Sequence, residues 1–330
     1  MRFADQWSGA MVLAIRDVAA SVREFLLRPD DGDARPYAVG SHINVGVIAN
    51  GQPDTRSYSL VGAPRAEAYR IAVQRAPQSR GGSAYMWGLK PGARLQMSHP
   101  ASLVELDWSR QHFCLIAGGI GITPVVGMAS ALMRRGASFE LHYAVRSGAE
   151  AAYLDELQAM LGERLRVYAA ADRQRLDLGA MLKGLPGGAM AFVCGPMRLL
   201  DDARRQWAAD GRIPTDLRYE TFGSSGLLPT QAFTIRIRET GAEIVVPEGR
   251  SMLDALNDAG YEVMSDCRRG ECGVCCIDVA DIQGAVDHRD VFLSEHQKRE
   301  GRKICPCVSR AAGTVTVDTL YRQDTIAPAG

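Results

Sequence analysis

The sequence predicts a multidomain protein with three successive folds: an antiparallel β-barrel, a doubly wound α/β sheet and a small β-grasp domain. Three observations support this prediction. Short alternating strands fill the N-terminal third, strands alternate with helices in the middle, and strands with one helix surround a cysteine-rich loop near the end. The 330 residues suffice for two or three domains. We place the domains at 1–107, 108–224 and 225–330.

Composition excludes several classes of protein. The formal net charge is zero, which argues against nucleic-acid binding through bulk charge. No apolar run reaches the roughly 18–20 residues that span a bilayer. Residues 1–7 lack the apolar core of a signal peptide, and we expect a cytoplasmic protein with no membrane or nucleic-acid partner.

The predicted barrel rests on alternating apolar residues between Pro, Gly, Asp and Asn turns. The predicted strands are Met11–Arg16, Val22–Arg28, His42–Ile48, Arg56–Val61, Tyr69–Arg75 and Arg94–Met97, with one possible helix at Gly82–Leu89.

Two short motifs in the barrel suit a flavin. Alternation places Arg56 and Tyr58 on one strand face and Ser59 on the other. The arginine can bind a phosphate and the tyrosine can contact a flat heterocycle. The second motif, which opens the possible helix as an anion site, consists of Arg80, Gly81, Gly82 and Ser83. Each motif alone also fits an ordinary polar strand or turn.

The middle segment begins as a nucleotide-binding unit. The buried strand Phe113–Ala117 is followed by a glycine-rich turn, then by Thr123 as a helix cap and Pro124 in the first helical turn. The helix is expected to end at Gly136. Because the turn is not G-x-G-x-x-G, a generic strand–helix turn remains the alternative.

Alternation continues to the end of this segment. The predicted strands are Phe139–Val145, Leu165–Ala169, Ala189–Val193 and Leu217–Phe222, and the predicted helices are Glu150–Leu161 and Pro196–Ala209. Ligands of such sheets bind beyond the carboxyl ends of the strands. Gly119, Gly121, Arg146, Ser147 and Cys194 fall there, although Cys194 also fits a core position and Arg146 a surface charge.

A cysteine pattern dominates the last hundred residues. Cys267, Cys272 and Cys275 have the C-x4-C-x2-C spacing of a plant-type [2Fe–2S] ferredoxin. Gly270 and Gly273 suit a loop that wraps tightly around the cluster. A zinc site or a disulfide framework fits this spacing less well.

The fourth ligand is either Cys307 or Cys305. Counting back from the closing strand at Val315 favours Cys307. Cys276 is expected to be a small buried neighbour.

A β-grasp layout surrounds these cysteines. Its predicted elements are the strands Phe233–Glu239, Glu243–Val246, Ile277–Val279 and Val315–Val317 and the helix Ser251–Ala259. Residues 222–231 are interpreted as a linker, and Asp287–Asp290 as an exposed loop with a helix cap.

In this order the three segments resemble the phthalate dioxygenase reductase type, which includes vanillate O-demethylase reductases. The matching positions are Arg56, Tyr58 and Ser59 for FMN; Arg80, Gly81, Gly82 and Ser83 for its phosphate; Gly118, Gly119, Gly121, Thr123 and Pro124 with Cys194, Gly195, Pro196 and Met197 for NADH; Glu220 and Phe222 at the end of the nicotinamide domain; and Cys267, Cys272, Cys275 and Cys307 for the cluster. Cys305 departs from the pattern as a competing thiol.

The resemblance implies the reductase component of a two-component Rieske-type oxygenase system. Electrons would pass from NADH through FMN and the [2Fe–2S] cluster to the terminal oxygenase, and the chain would act as a monomer. FMN instead of FAD is implied by the resemblance alone, and NADPH remains open because Arg146 suits a 2′-phosphate. No side chain is assigned a catalytic role, since the chain would position and tune its cofactors.

Two alternatives remain. The chain could be a non-catalytic Fe–S carrier or sensor on a reductase-like scaffold, which would bind no flavin. It could also be a reductase of the flavohaemoglobin or ferredoxin–NADP type, against which the fused ferredoxin segment argues.

Overall fold

The computed structural model describes residues 6–49, 51–75, 81–102, 104–222, 228 and 230–319. The chain divides into two compact units, 1–220 and 221–330. The first unit contains two sheets and the second contains one.

The first sheet forms from the alternating segments near the N-terminus. Its elements are β1 (Trp7–Ala19), β2 (Val22–Pro29), β3 (His42–Ala49), β4 (Gln52–Ser59), β5 (Tyr69–Gln74), α1 (Gly82–Gly88) and β6 (Arg94–Ser98). The strands are antiparallel in the order β4–β3–β6–β1–β2–β5. A bridge between Leu60 and Ile71 brings the two edges together, which closes the sheet into a barrel. Alternate residues such as Phe25, Ile43 and Val45 fill its interior.

The second sheet of this unit is parallel and carries helices between its strands. Its elements are β7 (His112–Gly118), α2 (Ile122–Arg134), β8 (Ser138–Val145), α3 (Leu154–Leu161), β9 (Leu165–Ala169), α4 (Leu178–Lys183), β10 (Met190–Cys194), α5 (Met197–Ala209) and β11 (Leu217–Glu220). The strand order is β11–β10–β7–β8–β9, with all strands parallel. From β7 the chain adds β8 and β9 on one side and then β10 and β11 on the other, so the order of addition reverses between β7 and β10. A doubly wound sheet binds its ligand at this reversal.

An ion pair of the buried Arg70 joins the barrel to the parallel-sheet part of the first unit. Arg70 on β5 pairs with Glu24 on β2, and its Nη2 lies 2.7 Å from Oε2 of Glu156 on α3. The Arg70 guanidinium also lies over the ring of Tyr153. The two sheets therefore share one packed boundary.

The second unit is a five-stranded sheet with one packed helix. Its elements are β12 (Phe233–Ile237), β13 (Glu243–Val246), α6 (Met252–Asp258), β14 (Ile277–Asp287), α7 (Glu295–Glu300), β15 (Lys303–Ile304) and β16 (Arg310–Asp318). The order is β13–β12–β16–β14–β15, with β12 and β16 parallel, as in a β-grasp. Ser251 caps α6 by accepting the Asp254 N–H, as the predicted helix start requires.

The predicted fold class is confirmed in all three parts. The elements that sequence reasoning missed are short: α4, α7 and β15. Among the described residues, no helix is long and apolar enough to span a membrane. The boundaries at 107 and 224 remain predictions, since the contact division falls after Glu220.

Candidate cofactor sites

The two predicted flavin motifs meet in the barrel. The Arg56 side chain on β4 lies directly against Gly82 at the start of α1, where an added Cβ would be 2.7 Å from Arg56 Nε. Gly81 has a φ of +92°, which favours glycine. Arg56 is held in place by Asp54, whose Oδ2 is 2.7 Å from Nη1. The structure thus brings a cation and the start of a helix together.

Tyr58 and Ser59 continue this strand. Burial raises the pKa of Tyr58, so the phenol stays neutral. The buried Ser59 hydroxyl lies 3.5 Å from Oε1 of Glu220 at the end of β11. Ser83 is the second residue of α1. Arg80, the remaining member of the predicted phosphate motif, lies outside the described residues.

The turns after β7 and β10 pack backbone against backbone. A Cβ on Gly121 would lie 2.1 Å from the Cys194 carbonyl oxygen, and one on Gly118 would lie 2.7 Å from Pro196 Cδ. A Cβ on Gly195 would meet the Gly118 backbone at 3.0 Å. A side chain at Gly121 would overlap the Cys194 backbone, and one at Gly118 or Gly195 would force the neighbouring atoms to shift. The predicted nucleotide turns therefore lie together, at the reversal of strand order.

Thr123 does not cap α2, which corrects the sequence prediction. Gly119–Gly121 forms a 3₁₀ turn that leads into the helix, and Gly121 is the N-cap. Thr123 therefore lies inside the helix, and its hydroxyl donates to the Ile120 carbonyl at 3.0 Å. The start of α2 has no side-chain cap, so its N–H groups are of the kind that bind phosphate in such sheets.

The other predicted nucleotide residues lie at strand ends of the same sheet. Arg146 directly follows β8 and is exposed, and Ser147 follows it. Cys194 and Met197 are buried on either side of the turn after β10. Phe222 is half-buried, and its predicted place near the flavin stays a prediction because it belongs to the second unit.

The cluster loop of the second unit wraps around its own sulfur atoms. Cys267 Sγ accepts the N–H groups of Arg269 and Cys272, both at 3.4 Å. Gly270 and Gly273 have φ of +78° and +73°, as a tight loop requires. A Cβ on Gly270 would lie 2.6 Å from Val308 Cγ2 and 2.9 Å from Asp290 Cα. N–H groups directed at thiolate sulfur are the donors that a [2Fe–2S] cluster needs.

Cys275, Cys305 and Cys307 come together beneath this loop. Hydrogen bonds from the thiols of Cys305 and Cys307 lower the pKa of Cys275 to about 3. The Cys307 thiol also accepts from the Gly270 N–H, whereas the Cys305 thiol hydrogen-bonds both Cys275 and Cys276. The four predicted ligands are thus grouped around one loop, and the residues present fit a [2Fe–2S] cluster.

Asp287–Asp290 is buried, so the prediction of an exposed loop was wrong. Asp290 accepts the Leu293 N–H at 2.9 Å and the Ser309 hydroxyl at 3.1 Å, and Arg289 pairs with Asp287 at 2.7 Å. Burial alone would raise the pKa of Asp290, but His288 and the Leu293 N–H bring it below its usual value. The residue that follows this segment, Val291, donates its N–H to the Gly270 carbonyl and so ties the segment to the cluster loop.

An ion pair inside the cluster loop was also missed. Arg269 Nη2 lies 3.1 Å from Glu271 Oε2, with the two side chains 8% and 14% exposed. Glu271 Oε1 accepts the Thr221 N–H at 3.1 Å. The opposite charges two residues apart were a signal for this pair, but nothing in the sequence indicated its burial.

Comparisons with known proteins identify the domains in which these predicted sites lie. Residues 235–312 match the model of the 2Fe-2S iron-sulfur cluster binding domain, and residues 115–205 match the oxidoreductase NAD-binding domain. The chain is 36% identical, over 93% of its length and 97% of the relative's, to a vanillate O-demethylase oxidoreductase from Pseudomonas sp.. This chain belongs to the phthalate dioxygenase reductase family.

Two further relatives agree with this family. The crystal structure of phthalate dioxygenase reductase, described as a modular structure for electron transfer from pyridine nucleotides to [2Fe-2S], aligns with a TM-score of 0.74 at 29% identity, over 94% of this chain and 98% of that one. The beta subunit of a heme-dependent oxidative N-demethylase from Ectopseudomonas mendocina is 40% identical over 92% of this chain and 96% of its own length.

Family membership confirms the predicted activity and cofactors. The chain is an NADH-dependent oxidoreductase with FMN and a [2Fe–2S] cluster, and it is the reductase component of an oxygenase system. The residues that bind each cofactor remain predictions, supported by the geometry above.

Proposed function

We propose that this reductase delivers electrons from NADH, through FMN and the [2Fe–2S] cluster, to a Rieske-type terminal oxygenase. The observation that carries the proposal is the meeting of Cys267, Cys272, Cys275 and Cys307 around one loop, in a chain that also holds a glycine-built nucleotide turn. When bound, the flavin accepts a hydride and the cluster carries single electrons.

The chain's own residues would bind and orient these groups. Arg56 and the start of α1 supply positive charge for the FMN phosphate, and Tyr58 and Ser59 lie along the same strand. We place the pyrophosphate of NADH beside the start of α2, where the turns that contain Gly121 and Gly195 pack together. Arg146 and Ser147, at the end of β8, are placed to contact the rest of the nucleotide.

Cys307 is our proposed fourth ligand in preference to Cys305. Its thiol accepts from the Gly270 N–H of the cluster loop, whereas the Cys305 thiol hydrogen-bonds Cys276, which is not a proposed ligand, as well as Cys275. Cys307→Ser should lose the cluster, while Cys305→Ala should retain two irons per chain. The reverse result in an iron assay would assign the ligand to Cys305.

The electron path is tested with Cys272→Ser. This variant should oxidise NADH with ferricyanide, which accepts electrons directly from the flavin, but its reduction of cytochrome c should fall at least tenfold. The same cytochrome c activity in both proteins would exclude the cluster from the path. A wild type without bound flavin would instead favour a non-catalytic Fe–S carrier or sensor.

A haem-dependent partner is the second candidate, favoured by the 40% identity to the N-demethylase beta subunit. Any oxygenase component encoded near this chain's gene, purified and mixed with the reductase and NADH, distinguishes the two. A Rieske-type electron paramagnetic resonance signal from that component supports our proposal. A haem absorption band that shifts on NADH-driven reduction would replace the Rieske-type oxygenase with a haem partner.

Location, oligomeric state and domain boundaries complete the proposal. None of the eight cysteines, all of which lie within the described residues, forms a disulfide, and on that ground we propose a cytoplasmic protein. We propose a monomer because one chain contains the whole electron path, and light scattering tests this. Limited proteolysis near residues 107 and 224 tests the boundaries of the proposed FMN, NAD and ferredoxin domains.

A further inference from the structure

A second group of metal-binding side chains lies in the parallel sheet, away from every cofactor site. Cys114 on β7 is directly opposite Glu140 on β8, and His142 follows two residues later on the same face. The Cys114 sulfur, a Glu140 carboxylate oxygen and a His142 ring nitrogen all lie within 4.8 Å of one another. Cys114 and Glu140 precede the carboxyl ends of their strands, so the group is separate from the nucleotide turns.

The environment of His142 leaves one ring nitrogen available. The side chain is fully buried, and Nδ1 is 2.9 Å from the Tyr168 hydroxyl, whose ring stacks on the imidazole. Within the described part of the chain, Nε2 has no aligned hydrogen-bond partner, although Glu140 Oε2 is only 3.1 Å away.

A histidine that donates from Nδ1 to Tyr168 presents a lone pair at Nε2. This lone pair then faces a carboxylate, which is also an acceptor, at 3.1 Å. Two acceptors at this distance repel each other unless a proton or a cation lies between them. Metal-bound histidines usually donate their other N–H to a neighbouring oxygen, as Tyr168 would accept here.

Cys114 supplies the third donor. It is fully buried, and its sulfur lies 3.5 Å from the Met181 sulfur on α4. Burial raises the pKa of this thiol, so without a cation it stays protonated. Thiolate, imidazole and carboxylate together are a donor set that Zn²⁺ accepts in tetrahedral sites.

Two basic side chains approach Glu140 from the sheet. Arg166 Nη1 lies 3.7 Å from Oε2 and His112 Nε2 lies 3.9 Å from Oε1. The Arg166 side chain is 61% exposed and can turn into water when Glu140 binds a metal. Glu140 is itself 22% exposed and provides a path for the ion to enter.

We propose that Cys114, Glu140 and His142 form a binding site for Zn²⁺ that links β7 to β8. Formation of the Zn–S bond breaks the Cys114 S–H bond and releases the proton to solvent, with no change in oxidation state. The ion would stabilise the sheet that carries the nucleotide turns.

The test uses the full chain with its flavin and cluster in place. After treatment with a mild chelator and dialysis against Zn²⁺, the wild type should hold one zinc per chain in addition to two irons. Zinc X-ray absorption should show one sulfur at about 2.3 Å and nitrogen or oxygen at about 2.0–2.1 Å. Zinc should also raise the thermal midpoint of unfolding.

Glu140→Gln keeps the shape of a partly exposed side chain and should lower the zinc affinity at least tenfold, with the flavin and iron contents unchanged. His142→Gln should abolish zinc binding, and Met181→Leu is the matched control that should retain it. Zinc equal in the wild type and in Glu140→Gln, or zinc bound by several sulfurs, would overturn the proposal. Glu140 and His142 would then be a buried hydrogen-bonded pair and nothing more.

Discussion

The nucleotide turn of the first unit and the cluster loop of the second both depend on glycine, but for different reasons. Gly121 has φ −60°, which any residue adopts, yet its Cβ position is 2.1 Å from the Cys194 carbonyl. Gly270 has φ +78°, and its Cβ position is also blocked by Val308 and Asp290. Gly121 is needed only because neighbouring atoms occupy its Cβ position. Gly270 is needed both for that reason and because its backbone is left-handed.

The difference shows what each site must accommodate. The nucleotide turn brings the ends of β7 and β10 close enough for one ligand to contact both. At this approach the two turns contact each other through backbone atoms instead of side chains. The cluster loop must turn its N–H groups towards sulfur, so the backbone itself adopts a left-handed conformation. We therefore compare each glycine with a control glycine that has a similar backbone conformation but open space at its Cβ position. The comparison separates the cost of crowding from the cost of the backbone conformation.

Gly121→Ala should have the largest effect. A methyl group cannot fit at 2.1 Å from a backbone oxygen, and overpacking of this kind costs about 1–3 kcal/mol or more. We expect at least a tenfold higher KM for NADH and a lower free energy of unfolding. Steady-state kinetics and urea unfolding measure both.

Gly148→Ala is the matched control. Gly148 lies past the end of β8 in the same unit, has no positive φ and has open space at its Cβ position. Its substitution should leave KM and stability nearly unchanged. If Gly121→Ala behaved like this control, the close approach of the two turns would not be needed for NADH binding.

Gly270→Ala should come next. The left-handed conformation costs a residue other than glycine roughly 1–2 kcal/mol, and the contact with Val308 adds to this. We expect the iron content to fall by more than half and the thermal midpoint to drop. Gly241 has a similar φ of +70° but open space at its Cβ position. Gly241→Ala should therefore lose stability only through its backbone conformation, and it should retain its iron. Equal iron loss in the two variants would contradict a role for the Val308 contact.

Patterns within single elements were predictable from the sequence. β9 begins and ends where alternation placed it, and the predicted hairpin strand Glu243–Val246 is β13 without change. The cysteine spacing indicated the cluster because the ligands of one loop are close in sequence. In each case the residues that decide the structure lie within a few positions of each other.

Contacts between distant segments were not predictable. Asp287–Asp290 is polar and looks exposed, yet Asp290 is buried, and Ser309, 19 residues later, donates to its carboxylate. The Thr123 cap failed because a 3₁₀ turn started the helix two residues earlier. Cys114, Glu140 and His142 are ordinary members of two strands until pairing places them side by side.

Glu271→Gln tests the charged part of the cluster loop. The side chain should still accept the Thr221 N–H but lose its pairing with the buried Arg269, at a cost of about 1–3 kcal/mol. We expect faster iron loss in urea.

Glu243→Gln breaks an exposed pair with Arg236 in the same unit, which contributes about 0–1 kcal/mol, and should have no such effect. Unchanged iron retention in Glu271→Gln would show that backbone alone holds the loop.

Arg146→Ala should have the smallest effect, because the nucleotide site depends chiefly on backbone. Arg146 is exposed at the end of β8, and a contact with the nucleotide from such a place contributes about 1 kcal/mol, roughly a fivefold change in binding. We expect KM for NADH to rise by about that factor, with kcat unchanged, since only ground-state binding is lost. Arg134→Ala, at the far end of α2, is the control and should leave KM as it was. A KM increase as large as that of Gly121→Ala would mean that this side chain, and not the glycine turns, determines nucleotide affinity.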